Sequence, residues 1–153
     1  ASDVYKRQVA IGKAGANVSV AQAHELIFGY AVGLDMTRRD LQNEMKKSGR
    51  PWEIGKAFDY SAPIGEIYPV ASVAEIQQAN ISLAVNGEPK QQGNINQLIW
   101  NVAETIANLS EFFELKAGDL IFTGTPAGVG AVVKGDTILA QIDGLGKIEL
   151  VVV

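Results

Sequence analysis

The pair Asn86-Gly87 sits between an alternating run, Ile81-Ser82-Leu83-Ala84-Val85, and a polar one, Lys90-Gln91-Gln92. Both turn residues tolerate positive φ, so the chain reverses within two residues and its flanks pair as antiparallel strands. A lone hairpin is not stable in water, so it demands further strands. The sequence supplies them at 119–123, 136–142 and 147–153, the last two joined by Gly144-Leu145-Gly146. Tyr30–Met36 is a small-and-apolar run that reads as a buried strand, and Val9-Ala10-Ile11-Gly12 is a further apolar element.

Helix signals are shorter. Ser19 with Gln22 makes a capping box for a short helix running through Leu26 and Phe28 and stopped by Gly29. Thr37 with Asp40 makes a second capping pattern for a helix from Arg38 to Lys47, ended by Ser48-Gly49 with Pro51 beyond. Leu98, Val102, Ile106, Leu109 and Phe113 recur at helical spacing and predict one amphipathic helix from Gln97 to Ser110. Residues 50–77 carry few periodic signals and read as loops with short strands, including Ile64–Pro69. Many strands and few short helices imply a β-rich α+β domain, its sheets coiled around a mixed core with the helices outside.

The 153 residues are enough for one domain with a substantial core, and 47% hydrophobic against 20% charged residues is the balance of a globular chain. The net charge is -4 and no basic run exceeds two residues, which argues against a nucleic-acid partner. No apolar stretch reaches the roughly 20 residues of a membrane span. There is no cysteine, so disulfides and cysteine–zinc sites are excluded, and a cytoplasmic setting is expected. The single His24 rules out a multi-histidine metal site in this chain. It lies inside a helical pattern and reads as a structural or surface residue. Trp52 and Trp100 read as packing residues.

The residues able to carry chemistry fall in three blocks. In Gly33-Leu34-Asp35-Met36-Thr37-Arg38-Arg39-Asp40 an apolar run delivers Asp35 to its end. A strand-end carboxylate there can hold a hard cation such as Mg²⁺, or it can cap or salt-bridge the next helix. Arg38 and Arg39 stand in the first helical turn, where the macrodipole favours anions. A bound carboxylate offsets that, as does pairing with Asp40 or Glu44. Gln42 lies one turn from Arg39 and is placed to face the same cleft. In Gly55-Lys56-Ala57-Phe58-Asp59, Lys56 is hemmed by small and apolar neighbours. Burial there requires a partner charge, either a ligand or a structural acid. The third block, Thr123-Gly124-Thr125-Pro126-Ala127-Gly128, is a glycine turn after a strand that can bring N–H groups to an anion, or be a plain tight turn. It lacks the Gly-Lys-Ser/Thr ending of a phosphate loop.

These blocks, in this order, resemble the fumarylacetoacetate hydrolase family, on its acylpyruvate and fumarylpyruvate hydrolase branch. The resemblance runs from about Val9 to the C-terminus and implies the family's C-terminal fold, a mixed β-roll with short peripheral helices. It implies that Asp35 binds a divalent metal, Mg²⁺ or Mn²⁺, that Lys56 is catalytic, and that Arg39, Gln42 and Thr125 bind substrate. Tyr60 falls near a position whose backbone helps order the metal shell. The substrate class implied is a small anion, a 3-acylpyruvate or related β-diketo acid such as fumarylpyruvate, met in aromatic-compound catabolism. The implied mechanism has the metal chelate the 1-carboxylate and 2-oxo oxygens while water attacks the distal carbonyl. Lys56 and the metal then stabilise the leaving pyruvate enolate. Isomerases and decarboxylases of the same fold share this enolate chemistry. A homodimer is also implied.

The resemblance breaks at residues 1–8, which are polar, patternless and expected to be foreign to the single domain spanning 9–153. The family holds its metal with three carboxylates, two from a Glu-x-Glu pair. Counting back from Lys13, those positions are Val4 and Lys6. Neither serves as an acidic ligand, and the family's general base and lid lie upstream. The chain is therefore expected to be impaired as an enzyme or, at the limit, a catalytically silent β-rich fragment.

Overall fold

The structure, a computed structural model, describes residues 5–73, 76–97, 99–124 and 130–153. Among the described residues, eight strands form two four-stranded sheets. The first contains β1 (Tyr5–Ile11), β2 (Ile27–Leu34), β3 (Tyr68–Pro69) and β6 (Leu120–Phe122), in the order β3-β2-β1-β6. The second contains β4 (Asn80–Val85), β5 (Glu88–Asn94), β7 (Thr137–Ile142) and β8 (Lys147–Val151), in the order β5-β4-β7-β8. The strand pairings within both sheets are antiparallel.

The hairpin forms as expected. Asn86 and Gly87 both adopt positive φ, +53° and +82°, and β4 pairs with β5 around them. Along β4, Ile81, Leu83 and Val85 are buried, and Ile138, Ala140 and Ile142 match them on β7. These side chains meet Val9, Ile11, Tyr30, Val32 and Leu34 of the first sheet to form one core. The period of two explains the β4–β7 pairing, because every second residue of these two strands is removed from water. Helix α3 (Val102–Phe112) closes the core with Val102 and Ile106 and packs on α1 (Val20–Ala23). Helix α2 (Arg39–Lys47) lies outside, against residues 53–55. Among the described residues no helix is long and apolar enough to cross a membrane.

Several sequence expectations need correction. Gly29 does not stop a helix. The Ser19–Gln22 capping box forms, but α1 ends at Ala23, a 3₁₀ turn follows over His24–Leu26, and β2 begins at Ile27. Gly29 pairs with Pro69, and a Cβ there would overlap the Tyr68 carbonyl. The glycine serves a close strand approach, which its neighbours in sequence do not reveal. The long helix starts at Val102 rather than Gln97, because Asn101 and Glu104 form a full capping box. Phe113 is exposed. Residues 5–8, read as patternless, open β1, which pairs with β2 along its length and with β6 from Gln8 to Ala10.

Candidate active site

β2 delivers Asp35 to the end of the first sheet, as its apolar run requires. The strap that follows is stitched to the 55–63 segment. The Leu34, Met36 and Arg38 N–H groups donate to the carbonyls of Pro63, Ser61 and Gly55 at 2.9, 2.7 and 2.9 Å. Gly55 also lets α2 approach the strap closely. A Cβ on it would lie 2.9 Å from Gln42 Cβ and 3.0 Å from Gln42 N, so any side chain would push α2 away. This packing sets Lys56 beside the strap.

Four of the sequence-derived residues come together as two pairs. Lys56 Nζ lies 3.0 Å from Asp35 Oδ2, with the two side chains 26% and 20% exposed. Arg39 Nη1 donates to Gln42 Oε1 at 2.6 Å, one turn along α2, and Gln42 is buried. Both ends of the site are thus charged or polar side chains fixed by partners rather than waving in solvent. Thr125 lies outside the described residues. Thr123 is anchored elsewhere: its N–H and Oγ1 both donate to the Arg7 carbonyl, at 3.3 and 3.0 Å, tying the end of β6 to β1.

The expected Thr37–Asp40 cap does not form. The N-cap of α2 is Arg38, with no side-chain cap bond. Thr37 is instead fully buried, and its Oγ1 has no hydrogen-bond partner among the described residues. Two further features escaped sequence reasoning. The Arg38 guanidinium stacks over Phe58, 4.4 Å from the ring centroid. Tyr60 holds φ +61° at the turn beneath the strap, its side chain exposed. A tyrosine at positive φ is rare, and no local residue pattern announces it.

The donor set does not fit a divalent metal. Among the described residues no three His, Cys, Asp or Glu side chains are grouped to hold one. Asp35 contributes one carboxylate, and an ammonium already faces it. The β1–β2 register puts Lys6 opposite Gly33, next to the strand end that carries Asp35. A hard cation that wants several oxygen ligands finds, among the described residues, one carboxylate already paired with Lys56.

Residues 8–153 match the family described as fumarylacetoacetate (FAA) hydrolase C-terminal. The chain belongs to the fumarylacetoacetate hydrolase family. It is 54% identical over 144 residues to the fumarylpyruvate hydrolase of Ralstonia sp, which covers 94% of this chain and 74% of that protein. It is 44% identical over 137 residues to the oxaloacetate tautomerase YcgM of Escherichia coli (strain K12), covering 89% of this chain and 63% of that one. The crystal structure of the fumarylpyruvate hydrolase from Pseudomonas aeruginosa, in complex with Mn²⁺ and pyruvate, superposes with a TM-score of 0.96. It is 57% identical and covers 99% of this chain and 65% of that chain. The family fold expected from the sequence is therefore the fold observed, and the chain spans about two thirds of the length of these enzymes.

Proposed function

We propose that this domain belongs to a hydrolase that cleaves the carbon–carbon bond of a 3-acylpyruvate, with fumarylpyruvate as the preferred type. The observation that carries this reading is the placement of the Lys56–Asp35 pair beside the Arg39–Gln42 pair, on two segments locked at Gly55. In the reaction, water adds to the acyl carbonyl carbon and the bond to C3 breaks. The acyl group leaves as a carboxylate, and the electron pair forms the pyruvate enolate, which takes one proton at C3. Arg39, steadied by Gln42, is suited to hold the substrate carboxylate through its planar fork. Lys56 brings a positive charge to the enolate oxygen as its charge develops, and Asp35 orients that ammonium in the resting state. No step is assigned to a metal, since the residues described do not form a metal site. Relatives that include an oxaloacetate tautomerase share the enolate, which supports tautomerisation of a 2-oxo acid as a second reading. The homodimer belongs to the same proposal, and light scattering at twice the monomer mass is its test.

Binding and chemistry are tested separately. Calorimetric titration of the chain with acetylpyruvate should give a dissociation constant in the millimolar range, weakened about tenfold or more by Arg39→Ala. Chemistry needs a chimera in which the parts of the Ralstonia relative that this chain does not span replace residues 1–8. Pyruvate release from fumarylpyruvate is then followed. Lys56→Ala in that chimera should lower kcat by roughly 100-fold, the scale of one preorganised electrostatic contact. Near-full kcat would make Lys56 a structural partner of Asp35 and nothing more.

A further inference from the structure

Asn86 and Gly87 stand exposed at the tip of the β4–β5 hairpin, with φ +53° and +82°. An asparagine followed by glycine is open to attack by the next backbone nitrogen, because glycine puts no side chain in the way. We propose that Asn86 is a site of spontaneous deamidation, and that its hydrogen bonds to Asp136 and Thr137 hold the reaction back until the hairpin tip opens.

The chemistry needs only water. The Gly87 nitrogen attacks Asn86 Cγ, the new C–N bond closes a succinimide ring, and the Cγ–Nδ2 bond breaks. Nδ2 leaves as ammonia with the proton that Gly87 gives up. Water then opens the ring at either carbonyl and leaves aspartate or, with the backbone rerouted through the side-chain carboxyl, isoaspartate. Nothing is oxidised or reduced, and the turn faces solvent.

The fold fixes both ends of the reacting amide. Asn86 Nδ2 donates to Asp136 Oδ1 at 2.8 Å, and the Thr137 N–H donates to Asn86 Oδ1 at 2.9 Å. The Asn86 N–H donates to the Thr137 carbonyl at 2.8 Å, which ties the backbone of the turn to the same segment. Asp136 is itself anchored, its Oδ2 accepting from the Val133 N–H at 2.8 Å. The Thr137 N–H polarises the Asn86 carbonyl and by itself would favour attack. The hold therefore lies in orientation: the amide reaches across to β7, and Cγ turns onto the Gly87 nitrogen only when the bond to Asp136 breaks.

The product cannot restore that bond. Aspartate at position 86 has no N–H for Asp136 and sets a second carboxylate against it. Isoaspartate also adds a backbone carbon to a turn that must keep Val85 opposite Glu88. β5 is the edge strand of its sheet, so a loosened tip uncovers β4.

The test incubates the whole chain at neutral pH and body temperature and follows conversion at residue 86 by peptide mapping with mass spectrometry. The folded chain should convert about tenfold or more slowly than a peptide spanning 80–92, the factor that a local opening of about 1.4 kcal/mol imposes. Asp136→Ala should raise the rate in the folded chain severalfold. Asp136→Asn leaves one oxygen for two donors and should give an intermediate rate. Asp136→Ser, whose side chain is too short to reach Nδ2, repeats the measurement should Asp136→Ala fail to fold by circular dichroism. Asn101→Ala loosens α3 rather than the turn and should leave the rate at residue 86 unchanged. Asn86→Asp, the product made directly, should melt lower than wild type and exchange its β5 amides faster. Conversion as fast in the folded chain as in the peptide, or unchanged by loss of the Asp136 carboxylate, would overturn the hold. Equal acceleration by Asn101→Ala would put the control in global unfolding and overturn it too. If neither chain nor peptide converts, Asn86 is no modification site.

Discussion

Replacing Arg7 by leucine is expected to stabilise the domain substantially. Arg7 sits on β1 opposite Val32, on the same strand face as Val9, and is only 2% exposed. None of its three guanidinium nitrogens has a hydrogen-bond partner among the described residues, and the Tyr30 ring, 5.5 Å away, is the contact left to it. Burial lowers its pKa from the usual guanidinium range to about 10, while the Tyr30 phenol is pushed up, chiefly by burial. A lowering of that size corresponds to a cost of about 3 kcal/mol. The aromatic contact offsets about 0.5–1 kcal/mol of it. Leucine covers much of the same apolar surface, so the net gain should be about 2–3 kcal/mol. For a chain of this size that is a rise in Tm of roughly 5–10 °C. The sign with pH is fixed by the lowered pKa. The penalty is full below about pH 10, where both folded and unfolded chains carry the proton, and fades above it as the folded chain loses the proton first. Urea unfolding followed by tryptophan fluorescence reads the difference, with Arg7→Lys as the control that keeps the charge and should gain little. Equal or lower stability of Arg7→Leu would show that the guanidinium finds a partner in solution and that the accounting is wrong.

Gly55→Ala should separate α2 from the strap: its Cβ would lie 3.0 Å from Gln42 N and 3.1 Å from the Arg38 carbonyl. Acetylpyruvate affinity should fall severalfold by calorimetry while the melting of the β-sheets changes little. Titration with Mn²⁺ or Mg²⁺ should show nothing tighter than millimolar, on the order of -4 kcal/mol. A tight 1:1 isotherm lost in Asp35→Ala would contradict the donor count. Asn101→Ala removes one half of the α3 capping box and should cost about 1 kcal/mol in urea unfolding. Asp136 is held below the usual carboxylate range by the Val133 N–H first and the Asn86 amide second. Its stabilising effect is present above the unfolded-state pKa and is lost as pH falls through the folded one, so Asp136→Asn should flatten the acid limb of the stability profile.

What could be read from the residues was what they settle locally. Asn86-Gly87 forms its hairpin because both residues themselves accept positive φ. Asp35, Arg39, Gln42 and Lys56 stand in short blocks of the sequence, and the fold brings them together in pairs. Where a residue answers to a distant partner, the reading failed. Gly29 resembles a helix stop, yet it is there for the Tyr68 carbonyl, 39 positions on. Thr37 with Asp40 has the spacing of a cap, but the strap's bonds to Gly55 and Ser61 bury Thr37 instead. The Arg38–Phe58 stack spans a loop with no periodic signal. The late start of α3 is different, because Asn101 and Glu104 were in plain view and the apolar spacing beginning at Leu98 outweighed them.

The place of β1 between β2 and β6 also bears on how the chain comes off the ribosome. β1 meets β2 almost at once, but its other neighbour arrives about 110 residues later. At roughly 5–20 residues per second, translation leaves that edge open for about 5–20 s. Unpaired edges of this kind invite pairing with other chains. The strand that most needs shelter during synthesis is therefore the one bearing Arg7 and Gln8, and the seam at Thr123 is the last stitch of the first sheet to be tied.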